Sequence, residues 1–239
     1  MFDEIKELPK HGINSIKAFM AYIGSPLHVD DGTLYKVLSE SKKVGLTTFV
    51  HAENGEIIDM LQKDCVKAGH TSPKYHAVSR PPIVETEATR RALYYAEELD
   101  APIFIVHVTT KGATDAIAEA KAKKVRAYGE TCTQYLTTTK DVLSDPDFNE
   151  AAKYVCSPAL RDQDDVDAMW DALNDNTLSA IVSDHCGIDL HEMKQVGRNN
   201  FVDIPNGAPG AADRINMIWT NGVAKNRISR QKFVEVCST

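Results

Sequence analysis

The chain has 239 residues, of which 43% are hydrophobic and 26% charged, with a formal net charge of −7. That length and apolar share build a sizeable core and exclude a disordered chain, and no apolar stretch approaches the roughly 20 residues a membrane helix needs. The acidic balance leaves no electrostatic footprint for nucleic acid or an anionic membrane.

In chain order, the opening MFDEIKELPKHG is an amphipathic acidic and basic stretch, with neither a secretion signal's apolar region nor the Arg-rich pattern of a transit peptide. A strand follows over Ser15 to Tyr22, then a helix over Thr33 to Val44, a strand over Leu46 to His51 and a helix over Glu56 to Ala68. Gly69 to Val84, containing SRPP, is a long connection leading to a helix over Glu85 to Leu99. Pro102 to Val108 is a strand whose run IFIVHV is apolar enough to be covered on both faces. Beyond it come a helix over Gly112 to Lys123, a strand over Lys124 to Glu130, a helix over Asp164 to Asn174 and a strand over Leu178 to Ser183. A second long connection, Cys186 to Arg214, contains IPNGAPGAADR, and RISRQKFVEVCST begins as an amphipathic helix. Strand and helix in alternation mean βα units around a parallel sheet, an α/β fold. Five such units are too few for a closed eight-stranded barrel, so the expectation is an excised portion of one, a single domain over 1–239. The five cysteines, Cys65, Cys132, Cys156, Cys186 and Cys237, lack CxxC spacing, which points to reduced thiols in a cytoplasmic protein.

Four polar residues end or interrupt apolar runs: Lys17, His51, His107 and Asp184. Parallel strands bring their carboxyl ends together, so one Lys, two His and one Asp placed there read as a metal site. Lys17, inside an apolar strand, is expected to be buried and driven towards a neutral amine, open to Schiff-base chemistry or to carbon dioxide capture as a carbamate. The plainer alternatives are a salt-bridged or snorkelling lysine, hydrogen-bonded core histidines, and an Asp184 that serves as an Asx-turn or helix cap. His185 and Asp184 are consecutive and point to opposite faces, so one of them reaches a common centre, and Asp184 is retained. His11, His28, His70, His76 and His191 are read as exposed or loop-packing residues.

GINSIKAFMAY, VHAENGE, IVHVTT, YGETCTQYLT, KYVCSPALRD, SDHC and IPNGAPGAADR together resemble the dihydropyrimidinase and hydantoinase family of cyclic amidohydrolases. The resemblance implies a TIM-like (β/α)8 barrel, with this chain supplying strands four to eight and lacking the N-terminal strands and the β-sandwich. It implies two divalent metals, usually zinc, bridged by a carboxylated Lys17, with His51 and His107 on the second metal. Asp184 would bind the first metal and shuttle protons, Tyr22 would bind the developing oxyanion, and main-chain groups of Ser157 and Asn206 would hold the ring amide of the substrate. The activity implied is hydrolysis of dihydropyrimidines or hydantoins to N-carbamoyl amino acids, in an oligomer that is tetrameric in the full-length family. The partner is therefore a small cyclic imide or ureide, with no nucleic acid and no membrane. The chain departs from the family pattern in having no H-x-H pair, which the first metal needs, and in carrying Gly187 after the Cys of SDHC. Those gaps keep two alternatives open: a non-catalytic scaffold, or a folded but inactive portion binding at most one metal tightly.

Overall fold

A computed structural model describes residues 2–238; Met1 and Thr239, the outer limits of the single-domain reading, lie outside the described residues. Five parallel strands form one sheet in the order β1-β2-β3-β4-β5: Ser15–Phe19, Thr47–His51, Ile103–Ile105, Ala127–Cys132 and Ala180–Val182. Sequential strands are always neighbours, and each crossover carries at least one helix. These are α1 (Asp31–Lys43), α2 (Gly55–Lys67) with α3 (Pro82–Leu99), α4 (Lys111–Ala122) and α5 (Gln163–Asn174); α6 (Arg230–Ser238) closes the described chain. Right-handed crossovers wound in one direction put every helix on one face, which is the winding of a barrel rather than of an open doubly wound sheet. The chain is thus an arc of a (β/α) barrel.

Helix starts follow local chemistry. Asp30 caps α1 by accepting from the Thr33 amide at 2.7 Å, Asn54 caps α2 through the Ile57 amide at 3.1 Å, and Thr110 caps α4 through the Ala113 amide at 3.3 Å. Proline at the start of α3 extends that helix three residues upstream of the expected Glu85. Three strands differ from expectation for a backbone reason. β1 ends at Phe19 rather than at Tyr22, which takes φ +65°. Lys124 takes φ +66° beyond the end of α4, so β4 begins only at Ala127, and His107 takes φ +41°, which ends β3 well before Val108.

The sheet is two-faced. Ala18, Val50, Ile103, Ile105, Ala127 and Ile181 point to the helices and are buried against Leu34, Leu38, Ala92, Ile117, Met169 and Leu173. Alanines 88, 92 and 96 on α3 and 113, 116 and 120 on α4 are all buried, and their small side chains let these two helices approach closely. Gly129 sits where a Cβ would come within 2.9 Å of Ile117 and Leu178, so β4 needs glycine at that helix-facing position. The opposite face carries Lys17, Phe49, Phe104 and Tyr128 and has no helix over it. Phe49 and Phe104 stack at 4.5 Å, Phe104 and Tyr128 at 6.3 Å, and Tyr128 remains 44% exposed. The expectation that β3 is covered on both faces is therefore corrected: Phe104 is only half-buried. Lys17 is corrected likewise, since it is exposed on this helix-free face rather than buried. Among the described residues no helix is long and apolar enough to cross a membrane.

Candidate active site

Among the described residues, seven other than glycine have positive φ. Asp100, Lys124, Asn176 and Asn226 each follow a helical segment, where the left-handed conformation is a common terminator. The other three are Tyr22 (φ +65°) beyond β1, His107 (φ +41°) beyond β3 and Asp184 (φ +43°) beyond β5. Each costs roughly 1–3 kcal/mol in local strain, and all three lie at the carboxyl edge of the sheet, where α/β folds assemble chemistry.

His51 ends β2 opposite Phe19 of β1. Its ring lies 4.5 Å from that of His107, edge to face at 73°, with Tyr22 at 5.2 Å and Phe19 at 5.7 Å. Lys17 Nζ stands 4.9 Å over the Phe19 ring. Lys17, Tyr22, His51 and His107 thus share one end of the β1 to β3 portion. His51 Nε2 donates to Glu53 Oε2 at 2.7 Å, and the same oxygen accepts from Arg80 at 3.2 Å. Burial raises the cost of ionising Glu53, but Arg80, the His51 hydrogen bond and Arg161 outweigh it and hold the carboxyl well below its usual range. Burial, together with the nearby His51 and Lys17, holds the His107 imidazole neutral. Its Nδ1 is buried without a hydrogen-bond partner among the described residues, an orphaned nitrogen that a cation could satisfy.

Asp184 lies on the β5 side, half-buried. Burial pushes the Glu130 carboxyl up to about 7, with the Lys17 charge opposing and the Asp184 charge reinforcing. Among the described residues no three His, Cys, Asp or Glu side chains converge closely enough to hold a metal ion. The donor set fits cations only if Lys17 contributes an oxygen ligand, as a carbamate does, beside the two imidazoles.

The segments carrying Ser157 and Asn206, which the resemblance assigns to the substrate, are tied together. Ser157, cis to Pro158, is buried, and its hydroxyl has no hydrogen-bond partner among the described residues. The Val155 carbonyl accepts from the Gly207 amide at 3.0 Å and from the buried Lys194 Nζ at 2.8 Å, so the Asn206 turn is anchored beside the Ser157 segment. Burial, reinforced by the Glu53 charge, pushes the Tyr22 phenol up to about 12.

A second layer was not legible in the sequence. Buried Glu85 accepts from the Thr109 amide at 2.7 Å, from the Thr109 hydroxyl and from Arg161 at 3.0 Å. Arg161 also donates to Thr109 Oγ1 at 2.8 Å and to the Arg80 carbonyl. This network joins the His107 strand end, the Ser157 loop and the Arg80 segment. His76, expected to be exposed or loop-packing, is 1% exposed and donates to the Cys156 carbonyl at 2.7 Å, with burial and Arg80 pushing it down to about 3. Glu53 in HAENGE and Glu85 in IVETEA stand among other polar residues, so nothing local marks them as buried, and their partners lie 27 and 76 residues away.

No protein-family model matches the chain. It is 48% identical over all 239 residues to a protein named D-hydantoinase from Rhizobium radiobacter and 47% identical, again over 239, to one of that name from Ralstonia pickettii. In both cases it covers 52% of the relative, so the chain spans about half the length of the curated relatives it matches. The crystal structure of dihydropyrimidinase from Brevibacillus agri NCHU1002 superposes on 98% of this chain and 51% of that one, with a TM-score of 0.96 and 43% identity.

Proposed function

Because this chain belongs to the D-hydantoinase and dihydropyrimidinase family, we propose that the whole protein opens the cyclic amide of dihydropyrimidines or hydantoins to N-carbamoyl amino acids. The observation that carries the reading is the His51 and His107 pair, 4.5 Å apart beside Lys17 and Tyr22, at a sheet edge where Tyr22, His107 and Asp184 all adopt strained backbone. Two divalent cations, zinc by preference, would be held by a Lys17 carbamate, His51, His107 and Asp184, and would supply Lewis acidity and lower the pKa of a bound water.

The chain's own groups do the rest. Tyr22 keeps its proton throughout the neutral range, so its phenol donates to the carbonyl oxygen as negative charge develops there. Asp184 accepts the proton of the attacking water and returns it to the ring nitrogen as the carbon–nitrogen bond breaks. Main-chain groups of Ser157 and Asn206, on loops joined through Val155 and Gly207, hold the ring amide in line. The whole protein is a homo-oligomer, tetrameric as the family resemblance implies, acting on small cyclic imides or ureides without nucleic-acid or membrane partners. The five free thiols support a reducing, cytoplasmic compartment.

The test is ring opening of dihydrouracil and of hydantoin by the zinc-loaded full-length protein. Asp184→Asn should cost about 10²- to 10⁴-fold in kcat. A zinc-loaded protein inert to both rings would replace this reading with that of a non-catalytic scaffold.

A further inference from the structure

We propose that Glu53, fixed by Arg80, is the positioning residue that sets the tautomer and the ring orientation of His51. The proposal rests on the reading of His51 as a metal ligand and extends it one layer outward. An imidazole can offer a lone pair from either nitrogen, and which one it offers depends on what the other is bonded to. Here Nε2 faces the Glu53 carboxylate at 2.7 Å. A carboxylate only accepts, so Nε2 carries a proton, and Nδ1 is the nitrogen left to face a metal.

The carboxylate cannot easily swing away. Glu53 is fully buried, and Arg80, itself 3% exposed, donates to the same oxygen at 3.2 Å. Arg80 in turn is held through its carbonyl by Arg161, which binds Glu85 and Thr109. Thr109 follows His107 by two residues, so one buried network reaches both histidines: His51 through its side chain and His107 through its loop. Removing Glu53 therefore releases the His51 proton to either nitrogen, while the backbone of β2, paired to β1 over Thr47–His51 and to β3 over Thr48–Val50, stays in place.

The experiment uses the full-length protein, labelled with ¹⁵N in its histidine rings. In metal-free protein the His51 ring should be almost wholly the Nε2–H tautomer, and Glu53→Gln should convert it to a mixture. With zinc alone as the probe, titration followed by calorimetry should show binding weakened about 10- to 100-fold in Glu53→Gln. Arg80→Gln, which leaves the carboxylate but frees it to move, should weaken zinc binding in the same direction and serves if Glu53→Gln does not fold. An unchanged tautomer together with zinc affinity within twofold of the parent overturns the proposal. Zinc binding that is equally strong in His51→Asn and the parent overturns the ligand assignment itself, a distinct result because the tautomer measurement needs no metal.

Discussion

Arg161→Met removes the cation from a buried pair whose partner cannot reach water. Glu85 is 2% exposed and Arg161 4%, and the variant loses the 3.0 Å pair to Glu85, the 2.8 Å bond to Thr109 Oγ1 and the bond to the Arg80 carbonyl. Breaking one side of such a pair costs about 3–5 kcal/mol, because the remaining charge is left uncompensated. Glu85→Gln should cost a similar amount, since it strands the guanidinium. The double variant holds no buried charge at this point and should lose well under the sum, with a coupling of about 2–3 kcal/mol. Burial already raises the Glu85 carboxyl above its usual value, and loss of Arg161 raises it further. An acid whose folded pKa is raised binds more protons in the native state, so its contribution is complete below its unfolded value near 4.5 and declines as pH rises. The deficit of Arg161→Met should therefore grow from pH 5 to pH 8. Urea unfolding followed by far-ultraviolet circular dichroism measures all three variants. Costs that add within ~0.5 kcal/mol, or a deficit independent of pH, would refute the coupled buried pair.

His76 is pushed down to about 3 by burial and by Arg80, so the native chain binds fewer protons there than the unfolded chain. Stability from this residue is complete above pH 6.5 and falls by about 1.4 kcal/mol per unit below it, roughly 2 kcal/mol by pH 5. His76→Gln should flatten that part of the urea-midpoint profile, and an unaltered profile would count against the assignment. Gly197→Ala should destabilise by about 1–3 kcal/mol, because a Cβ would meet the Ile204 amide nitrogen at 2.5 Å. Gly32→Ala, in α1 with nothing nearer than 3.7 Å, should stabilise by about 0.4–1 kcal/mol, and the pair of thermal melts tests the packing directly. Zinc at 100 times its dissociation constant should stabilise the chain by about 2.7 kcal/mol and raise Tm reversibly, with His107→Asn abolishing the rise. A Tm insensitive to zinc would contradict the orphaned His107 nitrogen as a ligand position.

The sequence by itself determined the βα alternation, the six longer helices to within a few residues, and the strand-end placement of His51, His107 and Asp184, whereas Lys17 lies in the middle of β1. Those features are local: helical and strand periods, capping side chains and the position of a polar residue in an apolar run are written in adjacent residues. Tertiary structure alone decided the rest. Lys17 is exposed because it points to the sheet face that no helix covers, and an apolar run cannot specify which face is covered. His51 received Glu53, Arg80 and His107 as neighbours because parallel strands converge at one edge, whereas Arg80 and Glu53 lie 27 residues apart in the chain. Strand-end strain at Tyr22, His107 and Asp184, and the Glu85 and Arg161 pair beneath it, arise where separate segments over-determine one backbone, a constraint visible only once the chain is folded.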